Sequence, residues 1–142
     1  MHYKLKLQGG KTLDLSFSVY FLNRVCKLTG KGLSNIFPTL LGDMSQFGEG
    51  VVSGGMLDDL ELRAAVLAAA WEADGFANKE YTKRETSDGF EIMEDVDGGL
   101  ASPQWAEIYS ILTQCLVATL PKDEVKKKAV KKPATKKAPA KK

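Results

Sequence analysis

The chain has 142 residues, and its 20 basic and 18 acidic side chains give a formal net charge of only +2. This total conceals an asymmetry, because residues 122–142 hold ten lysines and two acids, whereas residues 1–121 hold ten basic and sixteen acidic side chains. No apolar run approaches the roughly 20 residues of a membrane span, and no secretory signal is visible at the amino terminus. We therefore expect a cytoplasmic protein with one globular domain at residues 1–121 and a disordered lysine-rich tail at residues 122–142.

The first predicted element is a β-hairpin. Apolar residues alternate with lysines over residues 3–7 and with polar residues over residues 13–17, which is the period of a strand buried on one face. Gly9 and Gly10 lie between the two runs and are typical of a tight turn. Because an isolated hairpin is only marginally stable in water, its apolar face needs a cover.

Two helices are predicted to follow directly. Ser18 is suited to cap a helix over residues 18–29, and Gly30 is suited to end it. A shorter helix is expected from Ser34, with Pro38 still in its first turn, where a missing N–H does little harm. The first of these two helices is the expected cover for the hairpin.

The clearest helical pattern covers residues 58–74. Asp58 and Glu61 have the spacing of a capping box, and Gly75 is expected to end the helix. Small alanine side chains on this helix predict that another element approaches it closely.

Two more helices are predicted in the remainder of the domain. After a mobile connection over residues 82–89, Ser87 or Asp88 is expected to cap a short helix. Ser102 as N-cap and Pro103 at the first helical position mark the closing helix. The predicted fold class is therefore α+β, an N-terminal β-hairpin packed on a mainly α-helical bundle.

Several apolar side chains lie where solvated chain is expected. The glycine-rich residues 42–55 are predicted to form a loop, yet this loop and the end of the following helix carry large apolar groups. Such groups either fold back onto the core or form an adaptable surface for apolar segments of a partner. The candidate partner contacts are Phe47, Val51, Val52 and Phe76. The residues assigned to the core are Trp71, Trp105, Tyr109 and Leu116.

The sequence lacks the residues of most catalytic and metal sites. His2 is the only histidine, which disfavours an imidazole-activated nucleophile and most zinc sites. Cys26 and Cys115 lie in apolar helical patterns and are expected to be buried free thiols. The acids at residues 91–97 lack the spacing of a calcium loop and are interpreted as a solvated face. We therefore predict a protein that is not an enzyme and that needs no cofactor or metal.

The lysine-rich tail carries positive charge but has no side chain that could stack on nucleic-acid bases. Residues 122–142 contain no arginine and no aromatic residue, so they favour non-specific, salt-sensitive attraction to nucleic acid or to an acidic protein. A solubilising tail or a tether explains the same composition. The candidate contacts are Lys126, Lys127, Lys128, Lys131, Lys132, Lys136 and Lys137.

The order of elements points to a family. A hairpin (YKLKLQGGKTLDLSF) leads into a helix (SVYFLNRVCKLTGKGL), and a capped helix (DDLELRAAVLAAAWEADG), a helical turn near SDGFEIMEDV and a closing helix follow. Over roughly residues 1–120 this layout resembles the tail assembly chaperones of long-tailed bacteriophages. The glycine-rich loop and the lysine-rich tail depart from that layout.

The resemblance implies a role in assembly rather than in catalysis. Such chaperones bind apolar segments of the tape-measure protein, help to recruit tail-tube subunits and leave before the virion is complete, without ATP or metal. It implies that the protein acts in the host cytoplasm and is absent from the mature virion, and exposed apolar stripes also favour a homo-oligomer. Two alternatives stay open: a small nucleic-acid-associated protein that uses its tail, and a structural tail-completion or connector protein.

Overall fold

A computed structural model describes residues 1–42 and 54–119, without the side chains of Leu116 and Thr119. In these residues a two-stranded hairpin at the amino terminus packs on five α-helices. The predicted α+β class is thereby confirmed. The predicted domain boundary at residue 121 and the tail lie outside the described residues.

The hairpin consists of strand β1 (His2–Lys6) and strand β2 (Thr12–Ser16), which pair in antiparallel register with Leu5 opposite Leu13. Gly9 and Gly10 form the turn with φ angles of 75° and 78°, a conformation that glycine adopts without steric cost. One face of the hairpin is directed to the core, where Leu5 and Leu15 are fully buried. The predicted strands and turn are confirmed.

Helix α1 (Val19–Thr29) follows the hairpin but packs mainly on the long central helix of the domain, and it is that central helix, rather than α1 as the sequence predicts, that packs on β2. The backbone N–H of Phe21 donates to Ser18 Oγ at 3.3 Å, so Ser18 is the N-cap that the sequence predicts. At the other end Gly30 adopts a left-handed conformation and its N–H donates to the carbonyl of Cys26. Phe21 and Val25 are fully buried, so the helix is anchored to the core through one face.

Helix α2 (Leu33–Leu41) begins one residue before the predicted position. Pro38 is therefore its sixth residue and lies in the second turn rather than the first, so the carbonyl of Ser34 loses its helical partner. The helix persists because Ile36 and Leu40 are buried against the core. Tertiary packing here outweighs the local cost of the proline.

The central helix is α3 (Leu60–Ala77), and it corrects the prediction at both ends. Asp59, not Asp58, is the N-cap, because its carboxylate accepts hydrogen bonds from the N–H groups of Glu61 and Leu62. Gly75 does not end the helix but lies inside it. A Cβ at Gly75 would come 2.9 Å from the carbonyl oxygen of Glu80, so the glycine permits the returning chain to lie close to the helix.

Three elements pack around α3, namely α1, β2 and the next helix. This arrangement explains why the helix has apolar residues on almost every side: those that are buried include Ala64, Ala65, Val66, Leu67, Ala68, Ala69, Ala70 and Ala73. Their small side chains permit the close packing that the sequence predicts.

Helix α4 (Thr86–Asp95) begins earlier than predicted. Glu85 is its N-cap and forms a capping box with Asp88, whose Oδ2 accepts from the Glu85 N–H at 2.7 Å. Ser87 and Asp88 are therefore inside the first turn, and neither is the N-cap. A Cβ at Gly89 would lie 1.9 Å from the carbonyl oxygen of Ala64, so α4 crosses α3 in backbone contact.

Helix α5 (Gln104–Thr119) follows a short 3₁₀ turn (Gly99–Ala101) and closes the domain. Ser102 Oγ accepts from the N–H of Gln104 at 3.2 Å, as expected for the predicted cap. Trp105 and Tyr109 are both 3% exposed, so their assignment to the core is confirmed. The side chain of Leu116, also assigned to the core, lies outside the described part.

Candidate partner-binding surface

An aromatic cluster of Tyr20, Phe76 and Tyr81 lies on the surface of the domain. The rings of Tyr20 and Phe76 are stacked, with centroids 4.2 Å apart and an interplanar angle of 15°. Tyr81 meets Phe76 edge-on at 5.8 Å. Phe76 is 46% exposed, Tyr81 is 71% exposed and Tyr20 is partly buried, so two of the three rings present much of their surface to solvent. We call these three residues the aromatic cluster.

Three separate parts of the chain bring the aromatic cluster together. Tyr20 is in the first turn of α1, and Phe76 is in the last turn of α3. The chain then reverses at Lys79, which has a φ of 63°, and the N–H of Glu80 donates to the carbonyl of Gly75 at 2.7 Å. This reversal places Tyr81 beside the end of the helix that it has just left.

A buried carboxylate fixes the base of the cluster. Glu72 is 3% exposed, and its oxygens accept from Tyr20 Oη at 2.7 Å, from Arg24 Nε at 3.0 Å and from the Arg84 N–H at 2.8 Å. Burial alone would raise the pKa of Glu72, but these donors together hold the pKa below its ordinary value. The ionised carboxylate thus joins α1, α3 and the connection to α4.

The side chain of Arg84 also holds the connection against the neighbouring residue of α3. The guanidinium carbon of Arg84 lies 3.5 Å from the centroid of the Trp71 ring, a cation–π contact. Trp71 is only partly buried, so its assignment to the core is wrong in part. Arg84 covers one face of the indole ring, and the ring also packs against the core.

Of the candidate partner contacts, the structure describes Phe76 alone. It is exposed, as predicted, and it is the central ring of the aromatic cluster. Phe47, Val51 and Val52 lie outside the described residues, and so do the seven candidate lysines of the tail. Whether these residues contact a partner stays a prediction.

The sequence analysis missed Tyr20 and Tyr81 as members of this surface. Tyr20 fits the apolar pattern of α1, and Tyr81 lies in a polar stretch without a clear period. No local signal joins them to Phe76, because 52 residues separate Tyr20 from the Glu72 carboxylate that positions it. Other large apolar residues of the described chain are also exposed: Met1, Val19, Leu33, Leu60, Phe90, Leu100 and Val117.

In residues 1–42 and 54–119, no group of three or more histidine, cysteine, aspartate or glutamate side chains is placed to hold a metal ion. Cys26 and Cys115 are free, Cys115 is buried and Cys26 only partly so. Burial raises the pKa of both thiols, which disfavours the reactive thiolate.

Comparison with models of protein families, with curated proteins and with solved structures found no match. Among the described residues, no helix is both long enough and apolar enough to cross a membrane.

Proposed function

We propose that this protein is a non-enzymatic phage tail assembly chaperone that binds apolar segments of the tape-measure protein and helps to recruit tail-tube subunits. The observation that carries the proposal is the aromatic cluster. Three rings share one surface, and two of them, Phe76 and Tyr81, expose about half or more of their area in an otherwise well-packed domain.

The chemistry of the cluster suits an apolar helical client. Large aromatic rings contribute much contact area with few rotatable bonds, and residues of this kind dominate the energy of protein interfaces. The hydrogen bond from Tyr20 to the buried Glu72 fixes one ring in advance, which lowers the entropy lost when a client binds. A rigid apolar surface is thus available without nucleotide or metal.

The place and time of action that we propose depend on the same binding to an apolar client. The protein acts in the host cytoplasm, shields the client before the tail is built and is absent from the mature virion. Phe47, Val51 and Val52 extend the client surface beyond Phe76 under this proposal. The lysine-rich tail contributes at most a weak, non-specific attraction to nucleic acid.

The test is co-expression with the long helical reading frame expected immediately downstream. We expect the wild-type chain to keep that client soluble and to co-purify with it. Phe76→Ala and Tyr81→Ala should each weaken client binding about tenfold or more, as at interface hot spots. Phe90→Ala is the matched control, because Phe90 is similarly exposed at 41% but lies on α4.

Thermal unfolding of each variant separates binding from folding. Loss of one exposed stacked ring costs about 1 kcal/mol, so the melting temperature should fall only slightly. A soluble client in the presence of Phe76→Ala, or an equal effect of Phe90→Ala, would contradict the assignment of the aromatic cluster.

Two measurements distinguish the alternatives. Mass spectrometry of purified virions that detects this chain would favour a structural tail component. A steeply salt-dependent affinity for nucleic acid that disappears when residues 122–142 are deleted, with no effect on client solubility, would favour the nucleic-acid-associated protein.

A further inference from the structure

The outer edge of strand β2 has backbone groups without a partner among the described residues. Met1 and Phe17 exchange both backbone hydrogen bonds across the hairpin, and Leu7 N–H donates to the Lys11 carbonyl. Odd-numbered residues of the two strands therefore direct their backbone N–H and C=O groups toward each other across the hairpin. Even-numbered residues direct theirs outward. On β2 these outward groups belong to Thr12, Asp14 and Ser16.

The corresponding edge of β1 is covered at one end. Gln104 Oε1 accepts from the N–H of Lys6 at 2.7 Å, and Gln104 Nε2 donates to the Lys6 carbonyl at 3.1 Å. The glutamine amide thus imitates a neighbouring strand. No described residue does the same for the edge of β2, so the two edges are not equivalent.

A groove lies beside this edge. It has a cavity volume of about 220 Å³ and is lined by residues 12–14 of β2 and by Glu80, Thr82 and Arg84. Trp71, Asp74 and Gly75 of α3, all partly buried, also line it. The volume is below the roughly 300–1,000 Å³ of pockets that hold drug-sized ligands, so it suits single side chains of a peptide rather than a separate small molecule.

The charge on β2 disfavours a second copy of the chain as the partner. Pairing of two copies centred on Asp14 would place two like charges opposite each other, which is unfavourable. Of the connection that follows α3, Glu80, Thr82 and Arg84 line the groove, whereas Tyr81 belongs to the aromatic cluster.

The charge of the groove indicates the chemistry of its occupant. Three carboxylates, Asp14, Asp74 and Glu80, line it against one guanidinium, that of Arg84, which already lies over the Trp71 ring. Lys4 Nζ lies 3.3 Å from the Asp14 carboxylate and offsets part of its charge, and His2 Nε2 lies 3.2 Å from the same carboxylate. Asp74 Oδ1 accepts a hydrogen bond from Ser16 Oγ at 2.8 Å. Glu80 has no side-chain partner among the described residues and is exposed to the groove.

We infer that the open edge of β2 binds an extended segment of a separate protein, with lysine or arginine at alternate positions, as an added antiparallel or parallel strand. Backbone groups of Thr12, Asp14 and Ser16 supply the hydrogen bonds, and the carboxylates of the groove select basic side chains. This site uses residues other than those of the aromatic cluster. A failure to bind the basic strand would therefore not contradict the proposed function, and a failure of the proposed function would not contradict this site.

The probe is a fluorescein-labelled hexapeptide, Thr-Lys-Val-Lys-Val-Thr, and its binding to the full chain is followed by fluorescence anisotropy. Thr12→Pro removes one outward N–H, and the extended backbone of Lys11 tolerates a following proline. We expect affinity to fall about tenfold, comparable to the loss of one backbone hydrogen bond. Thr12→Val keeps that N–H and should bind as the wild type does.

A second pair of variants tests the charge selection. Glu80→Gln should weaken the lysine peptide several-fold, whereas Glu94→Gln, an exposed carboxylate on α4, should not. The same peptide with glutamate in place of lysine should not bind. Thermal unfolding of each variant checks that the fold is retained, and Glu80→Gln keeps the charge test valid if Thr12→Pro fails to fold.

Four outcomes would overturn the inference: no binding to the wild-type chain, equal binding of the glutamate peptide, no effect of Thr12→Pro in a folded protein, or no effect of Glu80→Gln. Two other results would assign the edge to a different occupant. Peptide binding that splits a dimer would assign it to a second copy. Carbodiimide cross-links within one molecule between Glu80 and lysines of residues 122–142 would assign it to the chain's own basic segment.

Discussion

Arg24 Nε lies 3.0 Å from Glu72 Oε1, and the two side chains are only 10% and 3% exposed. A buried pair of this kind gains little over apolar residues of the same size, but removal of one partner leaves an uncompensated charge. The Arg24–Glu72 pair is thus a point at which the domain is sensitive to single substitutions.

Glu72→Gln should lower the free energy of unfolding by about 3–5 kcal/mol, because the Arg24 guanidinium would stay buried without its main counter-ion. The Glu85 carboxylate, 3.9 Å from Arg24 Nη2, is 65% exposed and compensates little of that charge. Urea denaturation measures the change. Glu94→Gln serves as the control, because this exposed residue should change stability by no more than about 0.5 kcal/mol. Equal effects of the two substitutions would show that Arg24 is not held by Glu72.

The pH dependence of stability should carry the signature of Glu72. Its folded-state pKa is lowered from the ordinary value of 4.5, so its contribution is complete above that value and is lost as pH falls through the folded-state pKa. The stability difference between wild type and Glu72→Gln should therefore shrink as the pH is lowered below about 4.5. Urea denaturation over a series of acidic buffers measures this, and a constant difference would contradict the lowered pKa.

Gly89→Ala should destabilise the protein, although alanine is normally the better helix former by about 1 kcal/mol. The added Cβ would lie 1.9 Å from the Ala64 carbonyl oxygen, so α3 and α4 would have to separate. We expect a loss of about 3 kcal/mol or more, at the upper end of overpacking effects. Gly32→Ala is the control because a Cβ there meets no atom within 4 Å, and a comparable loss there would contradict the steric explanation.

Asp59→Ala should cost about 1 kcal/mol, since its carboxylate caps α3 by accepting from two backbone N–H groups. Asp58→Ala should cost less, because among the described residues Asp58 Oδ2 accepts only from the exposed N–H of Gly54. Thermal unfolding of the two variants decides between the cap seen in the structure and the one predicted from the sequence. A larger loss for Asp58→Ala would favour the sequence prediction.

Features with a local cause were predictable from the sequence. Ser18 and Gly30 bracket α1 as expected, because an N-cap hydroxyl and a left-handed glycine act on their own helix. Gly75 was predicted to end α3 for the same reason, but its role is different: it leaves space for Glu80, which lies close to the helix after the chain reverses. That contact joins two segments of the folded chain, so the helical pattern of the sequence does not predict it.

The candidate site was harder to predict, because it is formed by contacts between residues that are far apart in the sequence. Phe76 was predicted as an exposed contact because it follows a strong helical pattern, but its stacking with Tyr20 joins residues of two different helices. Trp71 has the spacing of a core residue, yet its outer face is covered by Arg84 from the following connection. The spacing of apolar residues predicts which side of a helix is apolar. It does not predict which charged side chain from another segment will pack on that side.

The connection that follows α3 has a consequence for regulation. Tyr81 contributes to the aromatic cluster, and its neighbours Glu80 and Thr82 line the groove beside β2. If both proposed surfaces bind their ligands, a ligand that moves this short stretch at one surface would alter the other, so the two sites would be energetically coupled. By linkage that coupling is reciprocal: whatever a bound helix does to the affinity for a basic strand, the strand does to the affinity for the helix.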